Sequence, residues 1–142
     1  MSETVVLDVD VKSPIERVWN ALTDSATLSR WMLFKSNDFQ PVVGHAFQFR
    51  EADGWDGVID CEVIEVDEPR RLSYTWVSDQ LGPSNLKQST VVTWTLTEAE
   101  GGVTRLRLEQ SGFASEARQE IGGAKYGWTS MLDRLQSVLA SA

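Results

Sequence analysis

The first residues alternate cleanly: Val5, Leu7, Val9 and Val11 fall on one side of an extended chain, Val6, Asp8, Asp10 and Lys12 on the other. A period of two is the signature of a strand with one buried face. Ser13-Pro14-Ile15-Glu16 then combines an N-cap hydroxyl, a proline suited to the first helical position and a carboxylate placed for a capping box. A helix is predicted from here, with Ile15, Val18, Trp19 and Leu22 on one stripe and an end near Thr23-Asp24. A second short helix follows, capped by Asp24 or Ser25 and burying Leu28, Trp31 and Met32.

From Phe34 to Gly44 the residues are polar, include Pro41 and show no period, which reads as a loop at a cavity mouth that acts as a lid. Phe47 and Phe49 share one face of the next strand. Asp53-Gly54 and Asp56-Gly57 both offer a hairpin turn before a strand around Val58 to Val66, and the sequence leaves the choice open. Leu72, Tyr74 and Trp76 form one face of the strand after Pro69, with Ser73 and Thr75 opposite. Gly82-Pro83-Ser84-Asn85 marks a long hairpin loop, and Val92, Trp94 and Leu96 resume the alternation. After the Gly101-Gly102 turn, Leu106 and Leu108 face inward against Arg105, Arg107 and Glu109, in a strand closing near Ser111-Gly112-Phe113.

Beyond Ser115 the period changes to that of a helix. Ile121, Ala124, Trp128, Met131, Leu135 and Val138 recur at spacings of three and four, flanked by Leu132 and Leu139. Gly122-Gly123 and Gly127 predispose its first part to a kink, and they free volume for a ligand or for close packing against the sheet. The predicted architecture is α+β: about six antiparallel strands curled around a long C-terminal helix, with two short helices after strand one. This is a helix-grip arrangement in which residues 1–142 form a single domain.

Composition narrows the function classes. A net charge of −8 repels phosphate backbones, so nucleic acid is not an expected partner. The N-terminal residues lack the layout of a signal peptide and no apolar run approaches a membrane span, so the expectation is a cytoplasmic protein without a membrane span. Cys61 is the single cysteine and has no metal-ligand partners at usable spacing, so neither a disulfide nor a metal is expected, and no cofactor is implied. It lies in phase with Ile59 and Val63 and reads as core. Asp60 and Glu62 fall on the opposite, solvated face, and Arg70-Arg71 reads as an exposed pair beside a turn. His45, the only histidine, reads as a solvated residue at a strand edge, since no nucleophile stands at motif spacing.

The apolar interior carries the functional candidates. Trp31, Phe47, Phe49, Tyr74, Trp76, Trp94, Tyr126, Trp128, Met131 and Leu135 are expected to line a cavity between sheet and helix, with no catalytic residue among them. Tyr74 and Tyr126 are the best polar anchors for a ligand hydroxyl or carbonyl, because a phenol adds one hydrogen bond to an apolar wall.

The chain resembles the C-terminal domain of the activator of the heat-shock protein 90 ATPase, within the START-like, Bet v 1-like (SRPBCC) helix-grip superfamily. The residues that carry the resemblance are Pro14 to Asp24, Arg30-Trp31, Glu65 to Trp76, Thr93 to Leu96, Thr104 to Leu106, Ser111-Gly112-Phe113 and Gly127-Trp128 with Leu132 and Leu135. Glu68 departs from the pattern, since many relatives carry a second proline before Pro69. The resemblance implies a cavity for apolar small molecules and, separately, a chaperone as partner in a stress-response role. Non-enzymatic binding of an apolar ligand is the leading expectation, by a monomer or homodimer. Chaperone interaction is the alternative, and a cyclase- or hydrolase-type enzyme using the same cavity is the second alternative.

Overall fold

The computed structural model describes residues 2–32, 34, 36–52, 55–78, 88–114 and 118–140. The chain runs β1 (Ser2–Val11), α1 (Ile15–Thr23), α2 (Ser25–Trp31), β2 (Ser36–Asn37), β3 (Ala46–Ala52), β4 (Trp55–Asp67), β5 (Arg71–Ser78), β6 (Gln88–Ala99), β7 (Val103–Ala114) and α3 (Arg118–Ala140). The strands form one antiparallel 7-stranded sheet in the order β1-β7-β6-β5-β4-β3-β2. Its one long crossover places β1 beside β7, while α1 and α2 bridge from β1 to the far edge.

The strand beyond the expected six is β2, in the stretch read as a free loop; Ser36 pairs with Arg50 and Asn37 with Phe49. Two polar residues are too few to display a period, so pattern alone passes over it. The hairpin between β3 and β4 is closed by pairing of Ala52 with Trp55, and Asp56-Gly57 falls within β4 rather than in a turn. Asp53-Gly54 and Gly82-Pro83-Ser84-Asn85 lie outside the described residues. Gly101 and Gly102 have φ of 80° and 72°, as the tight connection from β6 to β7 requires.

The capping box at Ser13 does not form. Pro14 takes the N-cap position of α1 without a side-chain cap. Ser13 is instead buried, and its carbonyl accepts a 2.7 Å hydrogen bond from Thr104 Oγ1, tying the helix entry to β7. Asp24 caps α2 as expected, accepting from the Thr27 amide at 3.1 Å. The helix α3 continues through its glycines without a break, 23 residues long and so about 35 Å.

Inner-face residues of β3 to β7 and the α3 stripe of Trp128, Met131, Leu132, Leu135 and Leu139 build one core. On the outer face, Asp8 pairs with Arg107 at 2.8 Å and Asp10 with Arg105 at 3.2 Å. Both pairs are exposed, so solvent screening leaves them little weight in stability. Asp60 and Glu62 also face solvent, with Asp60 accepting from Gln48 Nε2 at 2.7 Å. Among the described residues no helix is long and apolar enough to cross a membrane.

Candidate functional site: an aromatic array between sheet and helix

Strand alternation delivers Tyr74 and Trp76 of β5, Trp94 of β6, and Phe47 and Phe49 of β3 to the same inner surface. They form a contiguous chain of ring contacts. Phe47 meets Phe49 and Tyr74 at centroid distances of 5.4 Å, and Phe49 meets Trp76, also at 5.4 Å. The helix completes the chain through Trp128, 5.1 Å from Trp76 and 5.5 Å from Trp94. Trp31 of α2 stands edge-on to Trp94 at 5.9 Å. Offset and edge-on pairs of this kind contribute about 0.5–1.5 kcal/mol each beyond burial of area. Met131 and Leu135 extend the buried helix face.

Sheet and helix therefore touch at the level of Trp128. A Cβ placed on Gly127 meets nothing within 4 Å, and the same holds at Gly122 and Gly123, which are exposed on the solvent side of α3. These glycines do not serve close packing against the sheet. Trp76, at 7% exposure, is the most accessible ring among the buried aromatics, and half-buried Phe34 lies against it at 5.9 Å. The array reaches the surface there.

Tyr126 is corrected. It is 81% exposed, because two residues along a helix turn through about 200°, which points it away from the face that Trp128 presents. It lines no interior site. Two rings escaped the sequence pattern: Phe34, and Phe39, which is buried edge-on against Phe47 at 5.0 Å. The segment expected to form a lid is thus anchored to the core by Phe39. It is held by the Phe39 amide donating to Asn37 Oδ1, the Gln48 amide to Asp38 Oδ1, and His45 Nε2 lying 2.8 Å from the Asp38 carbonyl. His45, partly exposed at the edge of β3 as expected, also fastens this segment.

A polar relay crosses the array. Trp128 Nε1 donates to Gln110 Oε1 at 2.7 Å, Gln110 Nε2 to Thr90 Oγ1 at 2.9 Å, and Thr90 Oγ1 to the Trp76 carbonyl at 2.9 Å. Gln110 and Thr90 are both 2% exposed. Gln110 was detectable in the sequence as the next inward position after Leu106 and Leu108. Trp94 Nε1 donates to the Tyr74 hydroxyl at 2.9 Å and Trp31 Nε1 to the Ala21 carbonyl, also at 2.9 Å.

The titratable groups within this core are the Tyr74 phenol and the Cys61 thiol. Burial, the largest cause in both, pushes their pKa values up, and the nearby Asp60 charge raises the thiol further. Both stay protonated at neutral pH. Among the described residues no carboxylate, histidine or lysine is buried beside them, and no group of acidic, His or Cys side chains is arranged to hold a metal. The array therefore offers apolar contact and neutral hydrogen-bond donors rather than an acid–base pair.

This architecture is the helix-grip fold of the START-like, Bet v 1-like superfamily. The family model for Activator of Hsp90 ATPase homolog 1-like protein matches residues 12–140, and the chain belongs to that family. Protein MLL2253 from Mesorhizobium loti is 41% identical with a TM-score of 0.89, the match covering 99% of this chain and 98% of that one. DynU16, a protein in the dynemicin biosynthetic locus, is 26% identical with a TM-score of 0.78, covering 96% of this chain and 47% of its own. The Aha1 dimer from Colwellia psychrerythraea, 20% identical with a TM-score of 0.79 and 96% coverage of each chain, shares the fold. Among curated proteins none matches the sequence significantly.

Proposed function

We propose that the protein binds an apolar small molecule between the inner face of the sheet and α3, without catalysing a reaction. The observation that carries this is the aromatic chain that reaches the surface at Phe34 and Trp76 and is continued onto α3 by Trp128. Pockets for small molecules are lined mainly by apolar and aromatic side chains with a few polar groups, and Tyr74 and Gln110 are such groups. Titration with neutral, naphthalene-sized aromatics tests the proposal, because Trp76, Trp94 and Trp128 stand within the site. Saturable quenching of tryptophan fluorescence is expected, with melting raised by several degrees, since ligand at a hundred times Kd stabilises by about 2.7 kcal/mol. A panel that changes neither signal would refute it.

The family match favours a second reading, a module that acts on a chaperone. It predicts that the purified protein changes the ATP turnover of a heat-shock protein 90 chaperone. Unchanged turnover together with no capture in a pull-down would remove it.

A further inference from the structure

We propose that the molecule held between sheet and helix is uncharged and carries at least one hydrogen-bond-accepting oxygen, as in a ketone or quinone, read by Tyr74, Gln110 and Trp76. The inference rests on the binding site described under Proposed function and names the chemical class of its occupant.

Two buried donors in the array, and one at its accessible edge, have a hydrogen without an acceptor among the described residues. An indole N–H only donates, so the Tyr74 oxygen is the acceptor in its bond with Trp94, and the phenol's own proton stays unused. No acceptor for it stands among the described residues, although Tyr74 is only 1% exposed. Gln110 is fixed in orientation by the same logic. Trp128 can only donate to its Oε1, so Nε2 faces Thr90, and the second of its two hydrogens has no acceptor among the described residues. The third is Trp76 Nε1–H, which makes no hydrogen bond to a described residue. Every buried side-chain nitrogen and oxygen among the described residues has a partner, so this indole nitrogen opens onto accessible space.

The register brings the three donors together. Tyr74 pairs with Val92, and Val92 with Gln110, so the phenol and the amide occupy one row of the inner face, two strands apart. At about 4.8 Å per strand their backbones are separated by roughly 10 Å. Trp76 lies two residues along β5 on the same face, and Trp128 contacts its ring while bonding to Gln110. The three donors thus belong to neighbouring positions of one inner face.

Donors without acceptors select the ligand. A hydrocarbon would leave buried N–H and O–H groups unpaired, whereas an oxygen acceptor satisfies them. A carboxylate would be stripped of water with no cation nearby, because among the described residues no buried arginine, lysine or histidine compensates it. A cation would meet donor hydrogens instead of acceptors. Burial keeps the phenol protonated and so keeps it a donor.

Three probes of matched shape decide the matter: acetylnaphthalene, ethylnaphthalene and naphthoate, titrated against the wild-type protein and against Tyr74→Phe by tryptophan quenching and calorimetry. The ketone is expected to bind wild type at least about ten-fold more tightly than the ethyl compound, equivalent to 1.4 kcal/mol, with naphthoate weakest. In Tyr74→Phe that advantage should fall below about three-fold while ethylnaphthalene keeps its affinity. If the variant does not fold, the wild-type ratio alone decides. Equal affinity for ketone and hydrocarbon, or preference for naphthoate, overturns the inference and leaves apolar binding intact. No binding by any of the three overturns both.

Discussion

At the scale of single residues, a few buried polar groups tie the apolar interior together. Gln110 satisfies Trp128 and Thr90 together, so Gln110→Leu leaves an indole N–H and a hydroxyl without their partner in a dry environment. A loss of about 2–4 kcal/mol is expected, read as a lower urea midpoint with unchanged slope. Cys61 and Tyr74 impose a pH dependence. Their ordinary values are 9.0 and 10.0, and the fold holds both protons to higher pH than the unfolded chain does. Their contribution is therefore complete below about pH 9 and is lost as pH rises further, because the unfolded chain ionises first. Urea unfolding at a series of pH values checks the sign. The same burial predicts that Ellman's reagent labels the thiol slowly in the native protein and fully in denaturant.

At the scale of elements, two glycines that look alike in sequence carry opposite predictions. Gly112 has φ of 100°, and a Cβ there would come within 3.2 Å of the Ser89 carbonyl, at the bulge where β7 shifts register against β1. Gly112→Ala should destabilise by about 1–3 kcal/mol. Gly123 is an exposed helical position with open space around it, so Gly123→Ala should stabilise by up to about 1 kcal/mol through helix propensity. Thermal melts of the two variants should move in opposite directions. Strong periodicity made the long elements readable: Leu72, Tyr74 and Trp76, or Trp128, Met131 and Leu135, announce their faces directly. Where tertiary contacts decide, the sequence was silent. Ser13 carries every local mark of an N-cap, yet its neighbourhood is set by Thr104, 91 positions away. Phe39 sits among polar residues and Pro41 with no period, so nothing local shows that it is pinned to Phe47.

At the scale of the molecule, the sheet brings residues far apart in sequence onto one aromatic surface, and α3 covers it. The inward set was readable almost entirely because strand and helix periods report burial. Tyr126 was the exception, for its type suggested an anchor while its helical phase places it in water. Phase is the better guide, and it also marks Gln110 as an inward polar residue. The fold alone names no ligand, since this architecture hosts unrelated tasks. The central claim is that an apolar molecule enters beside Trp76 and Trp128. Indole N–H resonances of nitrogen-15-labelled protein, followed during titration with acetylnaphthalene or ethylnaphthalene, test it most directly. Saturable shifts of the Trp76 and Trp128 signals, with the Trp19 signal unmoved, are predicted; shifts absent from Trp76 and Trp128, or confined to Trp19, would contradict it.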